Sequence, residues 1–497
     1  MFISIYDIHS IFPEIYILFC TILLLVYGVL SSISSSSGFP VLSSNVALLC
    51  FQIVLFSIFI LLHSSEFTIF SWNQLLIHNF FTFGIKLILL ITFNFWLFLS
   101  LPYTRYEKLI SFEYWILSLL ALTGMLFVVQ SYDLLSMYLS IEFQSLVFYV
   151  LASFKRTSEF STEAGLKYFI LGAFSSALLL FGSSILYGLT GLTNFNDYLK
   201  LVTGLSLTNN VTLNYAITFG LIIIIVSLLF KISSAPFHIW SPDVYEGAPT
   251  ATTAFFSILP KLVILCLSLR FCLLYFHDYF YLWQNIILFC AYLSILVGTF
   301  SAFQQSKFKR FIAYSSINHV GFILLSFSTG ELEGIFGVLF YAITYIMLML
   351  GTFLFLTTLR YYYFPKHYQI RYIVDLLLLS ETNSVLAISL LLLLFSMAGI
   401  PPLIGFFSKI FILLPSLQNN TYGLSIFAVL MSCISCFYYI RLIKIMYFDK
   451  TAINWVVTYP VDNFSSLLLG LFVFLSTFLF LDLELILLFS ARLSLMI

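Results

Sequence analysis

The chain contains 497 residues, of which 61% are hydrophobic and only 8% are charged, and its formal net charge is zero. Soluble proteins carry about 25% charged residues, so this composition excludes a water-soluble fold, and the balanced charge gives no general attraction for nucleic acid. Apolar stretches of about 20 residues, the length of a membrane-spanning helix, recur along the chain. We predict an all-α polytopic membrane protein with spans at 10–31, 41–63, 79–101, 111–130, 132–153, 168–190, 215–241, 250–275, 281–303, 311–329, 333–364, 382–417, 421–447 and 464–490.

The positions of the basic residues predict the orientation of these fourteen spans. Of the 21 Lys and Arg residues, fourteen follow odd-numbered spans, and only Lys200, Arg270 and Arg492 lie on the opposite side. Both termini are therefore predicted on the non-cytoplasmic side, which in a mitochondrion is the intermembrane space. No basic residue precedes Lys86, so no targeting segment is expected. This favours synthesis where the chain is inserted, in a bacterium or in an organelle with its own genome.

Two predicted spans, 215–241 and 382–417, are too long for one straight helix. Pro236 interrupts the first, and Pro401 and Pro402 interrupt the second. Proline breaks a helix, and a break persists in a membrane only where protein or water satisfies the freed carbonyl groups. The breaks fall in the seventh and twelfth spans, five helices apart, so the pattern allows two inverted five-helix repeats. We divide the chain into a three-helix N-terminal segment (1–110), a first repeat (111–275), a second repeat (281–447) and a C-terminal helix 14 (448–497).

One acidic residue and three lysines lie deep in apolar spans. A charge near the bilayer centre costs about 2.5–3.5 kcal/mol, so it persists mainly where it faces the protein interior, water or an opposite charge. A desolvated lysine releases its proton more readily than one in water, and a nearby carboxylate opposes that release. A proton relay is therefore predicted, and the alternative is a set of static ion pairs that hold helices together. The four residues are Glu142, Lys231, Lys261 and Lys409.

Three other polar residues within the spans are weaker candidates. Lys86 is about two turns from the end of its span and is expected to reach the interface by snorkelling. Glu14 follows Pro13 near the start of the first span and is expected at the surface or against a partner. His319 has Ser316 one turn away, and it is either a satisfied core residue or a bridge in a proton path.

The sequence contains no signal for a bound cofactor or metal. Neither a GxGxxG nor a GxxxxGK[ST] phosphate loop is present. Cys433 and Cys436 form a CxxC, but it lies in an apolar span without a second Cys pair or a nearby His, so we predict no redox or metal site there. The energy for any transport is therefore expected to come from a partner or an ion gradient.

Several long motifs, in order along the chain, identify a family resemblance. The run Leu229–Thr250, LFKISSAPFHIWSPDVYEGAPT, resembles the signature of the subunit 2 family of NADH:ubiquinone oxidoreductase, respiratory complex I. The stretches SIEFQS at 140–145, STEAGLKYFILGAF at 161–174, AYSSINHVG at 313–321 and GIPPLIGFFSK at 399–409 are similar to the same family. The likeness covers nearly the whole chain and is closest to plant and algal mitochondrial forms.

This resemblance implies fourteen helices, two inverted repeats, and broken helices seven and twelve. In that family a glutamate on helix five pairs with a lysine on helix seven, and further lysines lie on helices eight and twelve. A histidine at a linking position and a lysine on helix six complete the set, with a less certain role. In this sequence the corresponding residues are Glu142, Lys231, Lys261, Lys409, His238 and Lys167.

The resemblance also implies an activity: an antiporter-like, proton-translocating core subunit that couples electron transfer from NADH to ubiquinone with proton pumping across the mitochondrial inner membrane. NADH, FMN, iron–sulfur clusters and ubiquinone would then bind to other subunits. The expected partners are other membrane-arm subunits, including neighbouring antiporter-like ones, membrane lipid and protons. Two alternatives stay open: a subunit of a cation/proton antiporter, and a membrane-arm scaffold without transport.

Overall fold

The computed structural model describes residues 5–32, 39–64, 68–109, 111–208, 211–363, 366–449 and 459–496. The described part of the chain is mostly helical and contains two short antiparallel hairpins, β1–β2 and β3–β4. The strands are β1 (Ile69–Ser71), β2 (Leu76–His78), β3 (Arg360–Tyr363) and β4 (Lys366–Gln369). The helices are α1 (Ile5–Ser10), α2 (Phe12–Ser32), α3 (Phe39–Leu62), α4 (Phe80–Tyr106), α5 (Glu113–Gln130), α6 (Leu134–Ala152), α7 (Glu159–Thr190), α8 (Phe195–Thr208), α9 (Val211–Ile232), α10 (Trp240–Gly247), α11 (Thr250–Arg270), α12 (Phe280–Phe303), α13 (Phe308–Phe327), α14 (Leu332–Thr358), α15 (Leu379–Thr382), α16 (Ser384–Ala398), α17 (Ile404–Gln418), α18 (Tyr422–Tyr447), α19 (Asn463–Phe478) and α20 (Glu484–Ser494).

Twelve helices in the described residues are long and apolar enough to cross a membrane. They coincide with twelve of the predicted spans, and the remaining two, 311–329 and 382–417, fall on α13 and on the shorter pair α16 and α17. Polar side chains define several helix starts: Asn79 accepts a hydrogen bond from the Thr82 amide at the start of α4, and Asp133 accepts one from the Leu135 amide at the start of α6. These contacts satisfy amide groups that have no partner inside the helix.

The helix α11 lies at the centre of the molecule. All of its residues are buried, and it packs against α4, α9 and α14. The peripheral helices instead expose large apolar side chains, as α7 does with Leu166, Ile170 and Phe181. In water such an exposed apolar face would promote aggregation, whereas in a membrane lipid solvates it. Polar groups on α11 are therefore as far from lipid as this fold allows.

Three predicted spans differ from the helices, and one predicted connection contains a helix, each for a physical reason. The span 168–190 is the longer α7, because polar, exposed residues extend the helix beyond the apolar stretch. The span 333–364 ends with α14 at Thr358, where the β3–β4 hairpin begins. The span 464–490 is divided into α19 and α20 next to the exposed Asp482. The polar connection after α7 contains the amphipathic α8, which buries Phe195, Tyr198 and Val202.

Candidate functional site

The first predicted break separates α9 from α10 at residues 233–239. The carbonyl groups freed by the break find partners nearby. The indole of Trp240 donates to the Phe230 carbonyl at 3.1 Å, and the amide and hydroxyl of Ser234 donate to the Leu229 carbonyl at 3.2 and 3.0 Å. These hydrogen bonds therefore stabilise the break, which places Lys231 at the end of α9.

Lys231 and Glu142 lie on neighbouring helices of the first repeat. The Glu142 carboxylate, on α6, attracts the Lys231 ammonium electrostatically, but the two do not form an ion pair in this structure. The Ser145 hydroxyl lies 3.0 Å from the Glu142 carbonyl oxygen and 3.4 Å from Glu142 Oε2, and Oε1 has no hydrogen-bond partner among the described residues. A cavity of about 30 Å³ borders Lys231 and Ser145, which is enough for one or two waters. Glu142 and Lys231 therefore interact electrostatically without a direct contact between their charged groups.

Lys261 is buried at the middle of α11. Its ammonium donates a hydrogen bond to the hydroxyl of Ser316 on α13 at 2.9 Å. The rings of Tyr245 and Tyr345 each lie 5.8 Å from the ammonium nitrogen, close enough for a cation–π attraction. Among the described residues no carboxylate pairs with it, so its partners are all neutral.

Lys409 lies in the second turn of α17, just after the second predicted break, which separates α16 from α17. Its ammonium donates to the Ala398 carbonyl at 2.5 Å, a group freed by the end of α16. Gly399 has φ +83°, and a Cβ on it would lie 2.9 Å from the Lys409 nitrogen. Glycine is favoured there by the left-handed backbone, and a Cβ would also displace the end of the Lys409 side chain. Lys231 precedes its break, whereas Lys409 follows its break.

His319 is buried on α13 and has both ring nitrogens next to tyrosine hydroxyls. Nδ1 lies 2.6 Å from the Tyr341 hydroxyl on α14, and Nε2 lies 3.3 Å from the Tyr439 hydroxyl on α18. A cavity of about 10 Å³ is bordered by His319, Tyr341, Tyr345 and Lys409. The sequence allowed two interpretations of His319, a satisfied core residue or a bridge in a proton path. The structure places His319 beside Lys409 and within a hydrogen-bonded chain.

These groups follow one another in a row through the described part of the protein. Pro260 and Ile264 of α11 border the cavity at Lys231, so this cavity reaches the helix that carries Lys261. Tyr345 borders both the cavity at Lys261 and the cavity at Lys409. The cavities at Lys261 and Lys409 thus share a lining residue, the cavity at Lys231 is joined to them only through α11, and Glu142 is coupled to Lys231 by charge.

Two candidates from the sequence lie apart from this row. Lys167 joins a charged cluster around α10, where its ammonium lies 3.0 Å from Asp243 Oδ2 and where Arg310 pairs with both Asp243 and Glu246. Burial raises the pKa of Asp243, but hydrogen bonds from Lys167 and Arg310 outweigh this effect and hold the pKa below its ordinary value. His238, in the first break, makes no side-chain hydrogen bond to a relay residue in the described chain, and its Nδ1 has no partner there.

The expectations for Lys86 and Glu14 are wrong. The Lys86 ammonium lies 2.5 Å from the Glu14 carboxylate, and both side chains are completely buried. Lys86 therefore does not snorkel, and Glu14 is neither at the surface nor free for a partner. The pairing of α2 with α4 supplies the opposite charge that makes deep burial tolerable.

Sequence reasoning did not single out the tyrosines of the row. Tyr341 and Tyr345 are four residues apart on α14, a spacing that places them on one helix face. That spacing was the available signal, but the chain contains 31 tyrosines, and nothing local indicates which of them face a histidine.

Comparison with known proteins determines the family. The family model described as "NADH:quinone oxidoreductase/Mrp antiporter, TM" matches residues 131–435, which contain the complete row. An NADH-ubiquinone oxidoreductase chain 2 from Marchantia polymorpha is 46% identical over 478 residues, which cover 96% of each chain. The chain belongs to this NADH:quinone oxidoreductase/Mrp antiporter family.

Two further relatives refine its position within the NADH:quinone oxidoreductase/Mrp antiporter family. An NADH-ubiquinone oxidoreductase chain 2 from Arabidopsis thaliana is 42% identical over 94% of this chain and 92% of the relative. An NADH-quinone oxidoreductase subunit N from Paramagnetospirillum magneticum is 43% identical over 71% of each chain. The resemblance expected from the motifs, to subunit 2 and to plant forms, is confirmed.

Solved structures show the same fold. A chain of respiratory complex I from Thermus thermophilus superposes with a TM-score of 0.78 at 23% identity, covering 96% of this chain and 99% of the other. A chain of the Mrp complex from Dietzia sp. DQ12-45-1b superposes with a TM-score of 0.81 at 16% identity, covering 98% and 97%. The antiporter-like helical fold predicted from the sequence is confirmed.

Proposed function

We propose that this chain is a proton-translocating subunit of an NADH:ubiquinone oxidoreductase, in which Glu142, Lys231, Lys261 and Lys409 carry the proton relay. One observation supports this most directly: the buried Lys261 and Lys409 and the partly buried Lys231 lie in one row, and the described residues around them offer neutral partners or a carboxylate held at a distance. A static scaffold would be expected to pair such charges, because an unpaired charge is costly at this depth.

The chemistry of such a row is charge loading and unloading. A hydroxyl such as that of Ser316 accepts a hydrogen bond from an ammonium and donates one to a neutral amine, so it stabilises both states of Lys261. A carboxylate would favour the ammonium alone. A change in the charge or position of Glu142 then alters the stability of the proton on Lys231, and the change is passed along the row.

Electron transfer supplies the energy in this proposal, but not within this chain. In the described residues no group of three or more His, Cys, Asp or Glu is arranged to hold a metal ion. NADH, FMN, iron–sulfur clusters and ubiquinone are assigned to other subunits of the assembly. Neighbouring membrane-arm subunits would pass their charge changes to the Glu142 end of the row, and lipid would cover the apolar outer faces of helices such as α7.

The proposed setting is the mitochondrial inner membrane, with both termini toward the intermembrane space and the chain encoded in the mitochondrion. The strong bias of Lys and Arg toward connections after odd-numbered spans supports this orientation of the termini. The two breaks, with a lysine beside each, also support division into the segments 1–110, 111–275, 281–447 and 448–497, in which the two middle segments are inverted repeats.

The test is Lys231→Ala in the assembled complex, with Lys200→Ala as the control. Lys200 lies outside the row, and its side chain is 69% exposed and 3.5 Å from Asp197. Proton pumping into sealed vesicles and NADH:ubiquinone turnover are measured together, and native gels report assembly. We expect Lys231→Ala to reduce both pumping and turnover without loss of assembly, and Lys200→Ala to change neither. Full coupled pumping by an assembled Lys231→Ala complex would contradict the proposal.

A further inference from the structure

The cavity beside Lys231 has an uncharged lining residue with an unused hydrogen-bond acceptor. Gln144 lies on α6 and is only 3% exposed, and its Oε1 has no hydrogen-bond partner among the described residues. It lines the cavity of about 30 Å³ together with Ser145 and Lys231. A buried acceptor without a partner is destabilising, so a ligand small enough for this cavity is expected at Gln144.

The packing of α5 against α6 fixes the position from which the Gln144 side chain starts. A Cβ on Gly124 of α5 would lie 3.0 Å from Gln144 Cβ and 3.1 Å from the Gln144 backbone nitrogen. Gln144 and Glu142 are two residues apart on α6, a spacing that places them on different faces of the helix. Glu142 is not among the residues that line the cavity, and Ser145, which does line it, lies 3.4 Å from Glu142 Oε2. The cavity therefore lies between Lys231 and the residue that contacts Glu142.

The polar groups of the cavity match the hydrogen-bonding capacity of one water. A buried water makes about three hydrogen bonds. The Lys231 ammonium only donates and Gln144 Oε1 only accepts. The Ser145 oxygen can also accept, because its own proton is donated to Glu142. A water in this cavity can therefore accept from Lys231 and donate to Gln144 and Ser145.

We propose that Gln144 holds a water in this cavity as the neutral hydrogen-bond partner of Lys231, and that Gln144 is thereby a positioning residue of the relay. When Lys231 is charged, the water accepts from its ammonium. When Lys231 is neutral, the water turns and donates to the amine, and it keeps its bond to Gln144. The water then has the role at Lys231 that the Ser316 hydroxyl has at Lys261. This inference rests on the proposed function of the row.

The composition of the cavity allows this role to be tested without removing a counter-charge. None of the described residues that line the cavity is acidic, and the titratable groups other than Lys231 are the hydroxyls of Tyr149 on α6 and Tyr168 on α7. The nearest carboxylate that the relay uses, that of Glu142, lies behind Ser145. A substitution at Gln144 therefore changes the hydration of the Lys231 amine and leaves Glu142 in place.

The experiment compares Gln144→Met, Gln144→Glu and Gln130→Met in the assembled complex. Methionine has a similar length to glutamine but lacks the amide acceptor. Gln130 on α5 is the matched control, because it is also fully buried with an Oε1 that lacks a partner among the described residues, but it does not line the cavity. Proton pumping into sealed inside-out vesicles and NADH:ubiquinone turnover are measured across the pH range in which the complex is stable.

We expect the alkaline limb of the pumping profile to move in opposite directions for the two substitutions at Gln144. Gln144→Met removes the acceptor that holds the water, so the ammonium loses hydration and Lys231 fails to load at a pH lower by about one unit. Gln144→Glu places a carboxylate at the cavity, which favours the ammonium, so the limb moves to higher pH and pumping at neutral pH decreases. Gln130→Met should leave the profile unchanged.

The outcomes separate this inference from the proposed function. Lower pumping at every pH without a shift of the limb, or a shift in the same direction for both variants, would overturn the role of Gln144. An unchanged profile in both variants would overturn it as well, while Lys231→Ala still tests the row. Normal pumping by Lys231→Ala would overturn the row itself, whatever the Gln144 variants show. If Gln144→Met does not assemble, Gln144→Glu decides, with a shift to higher pH expected and an unshifted limb contradicting the proposal.

Discussion

Two regions of this protein bury lysines in different ways. In the N-terminal segment, Lys86 is completely buried and lies 2.5 Å from the equally buried Glu14. In the row, Lys261 donates to a serine hydroxyl, and Lys409 donates to a backbone carbonyl. Burial alone therefore does not identify a proton carrier. The difference is the counter-charge: a carboxylate in contact fixes the ammonium, whereas a neutral partner allows the proton to leave.

The largest effect on stability is expected where the counter-charge is in contact. Glu14→Gln leaves the Lys86 ammonium buried without its carboxylate, which costs about 3–5 kcal/mol. We expect much less assembled complex and a lower temperature of inactivation, measured by native gels after heating. The double variant Glu14→Gln with Lys86→Met should recover most of the loss, because it removes both charges. Normal stability of Glu14→Gln alone would show that the pair is not the static element inferred here.

A carboxylate introduced into the row should convert a carrier into a fixed charge. Ser316→Asp places a carboxylate beside Lys261, where the Ser316 hydroxyl now lies 2.9 Å from the ammonium. An opposite charge in contact favours the ammonium, so we expect pumping and turnover to be lost while assembly is kept. Ser316→Ala is the matched control for the lost hydroxyl and should retain more activity than Ser316→Asp. Equal pumping by Ser316→Asp and the unsubstituted chain would remove the distinction between the two regions.

The helices, the two breaks and the lysines of the row could be predicted because each leaves a local signal. Apolar length indicates a span, proline indicates a break, and a charge inside an apolar run indicates a polar interior. Gly399 also lies in the predicted break, where the structure shows why glycine is needed. The family motifs then indicated which of these charged residues act as one set.

The pairing of Glu14 with Lys86 could not be predicted, because it depends on how α3 and α5, which both helices contact, position α2 relative to α4. Residues far apart in sequence meet there through packing that no local pattern records. Tyr341 and Tyr439 were missed for the same reason, since each contacts His319 from a different helix. Charged residues in a membrane protein are rare and visible in the sequence, whereas tyrosines are common, and only the fold shows which hydroxyls face the row.

A moderate effect is expected at Gly399, where the backbone itself positions a lysine of the row. Gly399→Ala forces a Cβ at φ +83° and within 2.9 Å of the Lys409 nitrogen, and a residue in this region costs about 1–3 kcal/mol. We expect lower pumping through displacement of Lys409, measured against the amount of assembled complex. Gly423→Ala is the control, because nothing lies within 4 Å of a Cβ at that position. Unchanged pumping by Gly399→Ala would mean that the position of Lys409 is not critical.

The smallest effect is expected in the charged cluster around α10, which is paired like Lys86 but partly exposed. Asp243→Asn weakens the contacts to Lys167 and Arg310, and exposed pairs contribute only about 0–1 kcal/mol each. We expect a small decrease in thermal stability and nearly normal pumping, with Glu163→Gln as the control that weakens only the outer contact of Lys167. A loss of pumping by Asp243→Asn as large as that of Lys231→Ala would extend the relay to the cluster. In that case a lysine paired with a carboxylate would also carry protons. Exposure to water, and not the presence of a counter-charge, would then distinguish the lysines that carry protons from those that do not.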